Sequence, residues 1–188
     1  MKKKNKQKAI FLDRDGVINK EVSYLCKPED FILYPFTGHA IKKINESDFY
    51  CIVITNQSAV ARNMCTIEDI EIVHNKMREL VADYNAGFDA VYYCPHLPNT
   101  DSVKNANKYN IECDCRKPKI GMIKQALKEF SIDLSNSYMI GDSPRDILCG
   151  KNAGLKTIGV KTGHACKGIE ISPDYYFENL KEAVDFIV

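Results

Sequence analysis

The stretch Phe11-Leu12-Asp13-Arg14-Asp15-Gly16-Val17 decides how this chain is organised. It completes a short apolar run, Ala9 to Leu12, of the kind that forms a strand buried on both faces of a parallel sheet. Gly16 allows a sharp turn directly after that strand. Asp13 and Asp15 therefore lie at the carboxyl end of a strand, which is the edge where open α/β sheets bind their ligands.

The two carboxylates are expected to share one face, because side chains along a strand alternate in direction. Two like charges this close need a compensating group. A divalent cation bound by Asp13, with Asp15 partly protonated, would provide it. A solvated turn is the alternative for the same residues, so this stretch alone does not decide between a binding site and a turn.

Length and composition favour one domain with a sizeable core. The chain has 188 residues, of which 45% are hydrophobic and 27% are charged. A formal net charge of +1 gives no general attraction to nucleic acid or to anionic membranes. No run approaches the ~20 apolar residues that span a bilayer. We therefore expect a cytoplasmic protein without nucleic-acid or membrane partners, and nothing in the sequence indicates an interface, so we expect a monomer.

The chain starts with a basic segment, Met1 to Lys8, that no apolar signal-peptide core of adequate length follows. We interpret residues 1–8 as a disordered tail and residues 9–188 as the single domain.

Alternating strand and helix patterns over the rest of the chain predict an α/β fold with a central parallel sheet. The strands predicted after Ala9–Leu12 are 50–54, 88–93, 137–140 and 155–160. The predicted helices are 37–47, a long amphipathic one from the N-cap Thr66 to Tyr84, 119–130, one that ends at Ala153, and 179–187. His74 lies within the long helix, where a surface or hydrogen-bonded histidine is expected.

Polar residues follow two further strands at the same edge of the predicted sheet. Thr55-Asn56-Gln57-Ser58 would bring a hydroxyl beside Asp13, where it could hold a phosphate oxygen, although the tetrapeptide by itself is only a turn signal. Asp142 repeats the placement of Asp13, and two such carboxylates suit Mg²⁺. Asp146, in the following helix, could orient the metal's water shell or a cation, or could simply interact with the helix dipole.

Three of the eight cysteines cluster around a polar loop. Cys94, Cys113 and Cys115, together with His96, offer three sulfurs and one imidazole, and such a closed tetrahedral set suits structural zinc. The alternative is four unrelated loop residues. A zinc loop over residues 94–115 would hold the cations that follow it, Arg116 and Lys117, in fixed positions. The remaining cysteines are read as small core residues.

Four motifs in order carry a resemblance that covers the chain from Ala9 to about Gly163. Asp13-Arg14-Asp15-Gly16-Val17, Thr55-Asn56-Gln57-Ser58, Arg116-Lys117-Pro118 and Gly141-Asp142 resemble those of the haloacid dehalogenase superfamily of aspartate-nucleophile phosphatases. The inserted Cys-Pro-His and Cys-Asp-Cys are similar to the zinc loop of its D-glycero-D-manno-heptose 1,7-bisphosphate 7-phosphatase branch, which histidinol-phosphate phosphatases share. The resemblance implies a Rossmann-like three-layer sandwich, without a cap domain and with a zinc-binding loop.

The same resemblance implies roles for the polar residues at the strand ends. Asp13 would attack phosphorus and form an aspartyl-phosphate. Asp15 would act as general acid and base, a role that needs its pKa raised toward neutrality. Mg²⁺ would be held by Asp13, the backbone carbonyl of Asp15, and Asp142, and would neutralise phosphoryl charge together with Lys117 and Thr55.

Further residues are implied to bind the substrate. Arg116 would grip it through a second phosphate, because a planar guanidinium suits bidentate contact. The sugar pocket would be lined by Glu21, Val22, Ser23, Tyr24, Asn56, Gln57 and Ser58. The implied function is Mg²⁺-dependent removal of the 7-phosphate from a small phosphorylated sugar, D-glycero-D-manno-heptose 1,7-bisphosphate, in nucleotide-activated heptose biosynthesis. A histidinol-phosphate phosphatase is the first alternative, and a zinc-stabilised binding module without turnover is the second.

Two positions depart from the pattern of the relatives. Ser143 stands where they often have Lys, with Arg145 two residues further on, so a substrate contact is lost or moved. Ala59 replaces a common Gly and could narrow the pocket. Neither change affects the implied nucleophile, acid or metal ligands.

Overall fold

A computed structural model describes residues 6–98, 106–166 and 171–188. Strands and helices alternate along it, as the sequence pattern predicts. The strands are β1 (Lys8–Leu12), β2 (Phe49–Asn56), β3 (Ala90–Cys94), β4 (Tyr138–Gly141), β5 (Lys156–Val160) and β6 (Tyr175–Phe177). The α-helices are α1 (Thr37–Asn45), α2 (Ile67–Ala82), α3 (Gly121–Glu129), α4 (Pro144–Asn152) and α5 (Leu180–Ile187).

The six strands form one fully parallel sheet in the order β3-β2-β1-β4-β5-β6. The chain runs outward from β1 in one direction and then, from β4, in the other. In such sheets, ligands bind beyond the carboxyl ends of the strands where the order reverses. β1 and β4 are the two strands at this point, and Asp13 and Asp142 directly follow them.

Helices cover both faces of the sheet, which confirms the three-layer architecture. One core packs α1, α2 and α5 against one face, and the other packs α3 and α4 against the opposite face. Ile10 and Leu12 of β1 belong to the first core, whereas Ala9 and Phe11 belong to the second. The uniformly apolar run of β1 is therefore explained by burial on both sides.

Most predicted elements agree with the structure to within two or three residues. Ordered structure begins earlier than predicted, because Lys8 pairs with β2 and Gln7 hydrogen-bonds with Ser131 and Asp133. Residues 1–5 of the predicted tail and residues 99–105 of the predicted zinc loop lie outside the described residues. No inserted cap domain is present within the described ranges. No helix in those ranges is both long and apolar enough to cross a membrane.

Helix α2 begins as its sequence predicts. Thr66 accepts a hydrogen bond from the backbone N–H of Asp69, and the Asp69 carboxylate accepts one from the backbone N–H of Thr66. The prediction for His74 is wrong: this residue is fully buried on the core face of α2, and neither of its ring nitrogens has a hydrogen-bond partner among the described residues.

Candidate active site

A cavity of about 800 Å³ opens at the carboxyl edge of the sheet. Most of the predicted site residues line it, drawn from the ends of β1, β2 and β4 and from the loops around them. They are Asp13, Asp15, Glu21, Ser23, Tyr24, Thr55, Asn56, Gln57, Ser58, Arg116, Lys117 and Asp142. Val22 is exposed and does not line the cavity, so the structure does not bring it to the site.

Lys117 is the buried cation at the centre of this cavity. Its side chain is almost fully enclosed, and its Nζ lies 2.9 Å from Asp13 Oδ1 and 2.6 Å from Asp146 Oδ1. The ammonium also donates a hydrogen bond to the carbonyl of Ile54, at 2.8 Å. Two carboxylate oxygens and one carbonyl oxygen thus surround the ammonium, and they compensate the charge of this buried Lys.

A backbone N–H group of the loop after β5 holds the carboxylate of Asp142. Its Oδ2 accepts a hydrogen bond from the N–H of His164 at 2.7 Å. Gly16 and Gly163, both with positive φ, pack so closely around this oxygen that a Cβ at either position would collide with it. Gly16 therefore serves a close approach to Asp142 as well as the turn after β1.

Three carboxylates converge where a divalent cation would bind. Oxygen atoms of Asp13, Asp142 and Asp146 lie within 4.8 Å of one another. Burial, followed by the charge of Asp146, raises the pKa of Asp13 well above its usual value and that of Asp142 to about 7. An oxygen donor set with excess negative charge fits Mg²⁺. Both oxygens of Asp146 are already engaged, Oδ1 by Lys117 and Oδ2 by Ser143, whereas the contacts of Asp13 to Lys117 and to the Arg14 N–H both fall on its Oδ1. Asp13 and Asp142 are therefore the carboxylates better placed to hold the ion.

Asp146 both contacts a cation and lies in the first turn of a helix, as the two interpretations of its sequence position predict. Its Oδ1 contacts Lys117, and its Oδ2 accepts hydrogen bonds from the backbone N–H of Ser143, at 3.0 Å, and from the Ser143 hydroxyl, at 2.6 Å. The carboxylate therefore closes the first turn of α4 and also fixes the ammonium group of Lys117.

The expectation of a raised pKa for Asp15 is wrong in this structure. Burial raises this pKa, but the Arg14 guanidinium and the hydrogen bonds from Arg14, Asn19 and Gln57 outweigh burial and lower it. Arg14 donates from Nε at 3.1 Å and from Nη2 at 2.9 Å, a bidentate contact to the carboxylate. Asp15 is therefore held ionised, close to Asp13 but outside the cluster of three carboxylates.

Side chains at the end of β2 form hydrogen bonds that hold Asp15 and Lys117 in place. Gln57 donates hydrogen bonds to Asp15 Oδ2, at 2.8 Å, and to the Thr55 hydroxyl, at 3.0 Å. Asn56 pairs its side-chain amide with the backbone of Lys117 in both directions. The amide of Asn56 therefore positions Lys117, although the residue also lines the cavity.

The four predicted zinc ligands meet at one point. Five of the six pairwise separations among the three sulfurs and His96 Nδ1 run from 3.1 Å to 3.7 Å, and all four atoms lie within 4.8 Å of one another. A tetrahedral site with Zn–S bonds of about 2.3 Å has edges of about 3.8 Å. Three thiols and one imidazole at this spacing fit a structural zinc ion with no open coordination position.

The zinc loop connects directly to the cavity. Arg116 donates a hydrogen bond from Nη1 to the carbonyl of His96 at 3.0 Å. Two other arginines lie nearby in the cavity wall, Arg62 and Arg145, and Arg62 stacks on the ring of Tyr24 at 5.1 Å. Burial lowers the pKa of Arg116, and the charges of Arg145 and Arg62 act in the same direction. Three guanidinium groups thus share one side of the site.

Comparisons with known proteins agree with this geometry. A HAD-hydrolase-like family model matches residues 114–183. The chain is 40% identical over 187 residues to D-glycero-D-manno-heptose-1,7-bisphosphate 7-phosphatase from Chlorobaculum tepidum, covering 94% of this chain and 92% of the relative. The chain belongs to this phosphatase family. The Haemophilus ducreyi D-glycero-beta-D-manno-heptose-1,7-bisphosphate 7-phosphatase is 36% identical, with 96% of this chain and 98% of the relative covered.

A solved structure from this phosphatase family has the same fold. The D,D-heptose 1,7-bisphosphate phosphatase from B. bronchiseptica, complexed with magnesium and phosphate, superimposes with a TM-score of 0.83 at 29% identity. The match covers 96% of this chain and 97% of that one. The chain described here is thus a phosphatase, a phosphoric monoester hydrolase with the HAD fold.

Sequence reasoning did not assign to the site five residues that line the cavity: Arg62, Leu97, Pro144, Gly163 and His164. Arg145 was noticed only as a neighbour of Ser143, and it also lines the cavity. No spacing rule connects these residues with the motifs, because the loops after β2, β3 and β5 and helix α4 bring them together only in the folded chain. Ala59, the other departure from the relatives, lines the same cavity.

Proposed function

We propose that this phosphatase removes the 7-phosphate of D-glycero-D-manno-heptose 1,7-bisphosphate with the help of Mg²⁺. The observation that carries the proposal is the lining of one cavity, which we interpret as two phosphate-binding regions. Asp13 and Lys117 occupy one region, and Arg62, Arg116 and Arg145 form the other. A substrate with two phosphates on a small sugar satisfies both regions. The relatives named as heptose bisphosphatases support the same substrate.

In the first chemical step, a carboxylate oxygen of Asp13 attacks phosphorus and the bond to the sugar oxygen breaks, leaving a phosphoryl group on Asp13. Lys117 and the Thr55 hydroxyl hold oxygens of that group. The Lys117 contact to Asp13 Oδ1, at 2.9 Å, keeps the carboxylate oriented for attack. When bound through Asp13, the carbonyl of Asp15, and Asp142, Mg²⁺ neutralises charge that builds up on the transferred group.

Asp15 moves the protons in both steps. It gives a proton to the departing sugar oxygen and later takes one from the water that hydrolyses the aspartyl-phosphate. Its lowered pKa in this structure suits the second task. A bound phosphate dianion next to Asp15 raises that pKa by like-charge repulsion, which suits the first task.

The arginines select the second phosphate. Arg116 is fixed through the carbonyl of a zinc ligand, His96, so its guanidinium is preorganised. We infer that Arg145 takes the part that Lys has in relatives at the position of Ser143, whose hydroxyl is committed to Asp146. A zinc site of three thiolates suits the reducing cytoplasm, where we place the reaction as a step in activated-heptose synthesis.

The test is a comparison of kcat/KM values with Mg²⁺ for both anomers of the heptose bisphosphate, histidinol phosphate and fructose 1,6-bisphosphate. We expect one heptose anomer to be preferred at least ~100-fold, which is about 2.7 kcal/mol of transition-state discrimination. A preference for histidinol phosphate, or equal slow hydrolysis of all four, would overturn the substrate assignment.

A matched variant tests the division of the cavity. Arg116→Met should lower kcat/KM for the heptose bisphosphate by about 100-fold, because a charge-assisted bidentate contact is lost. The same change should leave hydrolysis of p-nitrophenyl phosphate within about threefold of wild type, since that ester has only the phosphate that is transferred. Equal losses on both substrates would contradict a second phosphate region.

A further inference from the structure

Two buried side chains behind the active site carry nitrogen atoms without a hydrogen-bond partner. Within the described residues, Arg14 Nη1 and both ring nitrogens of His74 have none, and both residues are fully buried. A buried polar group without a partner loses its hydrogen bonds to water and gains none in return, so it destabilises the fold. Neither residue belongs to the set that contacts substrate in the proposed mechanism, so this cost needs an explanation.

The two side chains lie on the same side of the sheet. Ile10 and Leu12 point toward α1, α2 and α5. Arg14, two residues beyond Leu12, accepts a hydrogen bond at its carbonyl from the N–H of Ile18, whose side chain belongs to the same core. His74 lies on α2 beside Val73, whose side chain belongs to the same core.

The contacts around the two groups link them. The ring of His74 meets that of Tyr93, which is the register partner of Thr55 in β2. Gln57, just beyond Thr55, donates to the Asp15 carboxylate that Arg14 grips.

Burial, followed by the positive charges of Arg14 and Arg78, lowers the pKa of His74 to about 3, and Asp15 acts weakly in the opposite direction. His74 is therefore neutral at physiological pH. A neutral imidazole has one nitrogen that accepts a hydrogen bond and one that donates, so it can interact favourably with a guanidinium.

We propose that His74 is a positioning residue for Asp15: it accepts a hydrogen bond from a buried water to which Arg14 Nη1 donates. Arg14 already grips Asp15 through Nε and Nη2. A third fixed contact stops rotation of the guanidinium plane and so fixes the carboxylate that moves the protons. Buried waters commonly satisfy such otherwise unpaired groups. This inference rests on the proposed role of Asp15 and does not depend on which phosphate ester is the substrate.

The alternative is that His74 only fills space. Its ring meets that of Tyr93 edge to face, with centroids 5.1 Å apart, which by itself is an ordinary core contact. The two interpretations make opposite predictions for substitution. Phe keeps the aromatic contact and loses the acceptor, whereas Gln keeps an acceptor and loses the ring.

The experiment compares His74→Phe and His74→Gln with wild type, using Mg²⁺-loaded enzyme, the heptose bisphosphate and p-nitrophenyl phosphate. We expect His74→Phe to lower kcat about tenfold with KM changed less than about twofold, and His74→Gln to retain kcat within about threefold. Wild-type kcat in His74→Phe, or an equal loss in both variants, would overturn the proposal. If the wild-type enzyme does not hydrolyse the heptose bisphosphate, the substrate assignment is refuted instead. The kcat values of wild type and the two variants are then still compared on p-nitrophenyl phosphate.

A crystal structure of the wild-type enzyme gives a check that needs no variant. At a resolution that defines waters, one water should lie within hydrogen-bond distance of both Arg14 Nη1 and a ring nitrogen of His74. A direct contact to some other group at either atom, with no shared water, would also overturn the proposal.

Discussion

Replacing Lys117 by Met should destabilise the metal-free protein strongly, because it removes the charge that compensates two buried carboxylates. Lys117 is 2% exposed and lies within 2.9 Å of Asp13 and Asp146. Removing one partner of a buried ion pair typically costs about 3–5 kcal/mol, because the remaining charge stays desolvated. For a chain of this length, that loss corresponds to a decrease in Tm of roughly 10 °C. Met keeps much of the aliphatic stem, so the charge is the main change.

The assay is thermal unfolding followed by circular dichroism in buffer without Mg²⁺. A chelator is left out, because it would also strip the zinc site. Lys119→Met is the matched control, since Lys119 lies two residues away and pairs with Glu112 at the surface, where ion pairs contribute little. If Lys117→Met melts together with Lys119→Met, the buried ion-pair network does not stabilise the fold and the reasoning is refuted.

Three further predictions concern other parts of the site. Gly163→Ala should weaken Mg²⁺ binding by at least about tenfold in calorimetry, because its Cβ would collide with Asp142 in a backbone conformation that disfavours side chains. In urea titrations, His74 should lower the unfolding free energy of the wild type by about 2 kcal/mol when the pH is decreased from 7 to 5. The pKa of His74 is about 3 in the folded protein and 6.5 in the unfolded chain. Over this range the unfolded chain therefore binds a proton that the folded protein does not, and stability decreases as the pH decreases. Cys115→Ser should lose zinc by elemental analysis and lower kcat/KM, because Arg116 is anchored on the loop.

Each of these predictions has a control. Gly87→Ala adds a methyl group where no atom lies within 4 Å, so it should bind Mg²⁺ like wild type. His74→Phe has no titrating imidazole, and an identical pH dependence in this variant and in wild type would contradict the pKa of His74. Cys26→Ser should keep its zinc, and a zinc-free Cys115→Ser enzyme with full activity would contradict the coupling between the loop and Arg116.

The fold followed from the sequence because its buried parallel strands have unmistakable patterns. β1 is apolar at every position that follows Lys8, and the polar residues come directly after it. Parallel strands end at one edge, so the meeting of Asp13 with Asp142 could be predicted without coordinates. The zinc site was equally accessible, because its ligand types leave few other uses in a polar loop.

The electrostatics of the site did not follow from spacing. The pKa of Asp15 depends on Arg14 folding back onto its neighbour, which is a side-chain conformation and not a pattern. Asp13 and Asp15 are two residues apart, yet one joins the cluster of three carboxylates and the other is held by Arg14, Asn19 and Gln57. Burial of His74 was within reach, since Ile70, Val73 and Met77 fix the core face of α2, but a polar residue on that face was read as exposed or already paired.

Phosphorus NMR of the heptose 1,7-bisphosphate during turnover with Mg²⁺ tests the central claim most directly, because the two phosphates give separate resonances. The account predicts that the 7-phosphate signal is replaced by inorganic phosphate in equal amount while the 1-phosphate signal persists, and that Asp13→Asn produces no change. Loss of the 1-phosphate signal first, or turnover by Asp13→Asn, would contradict it.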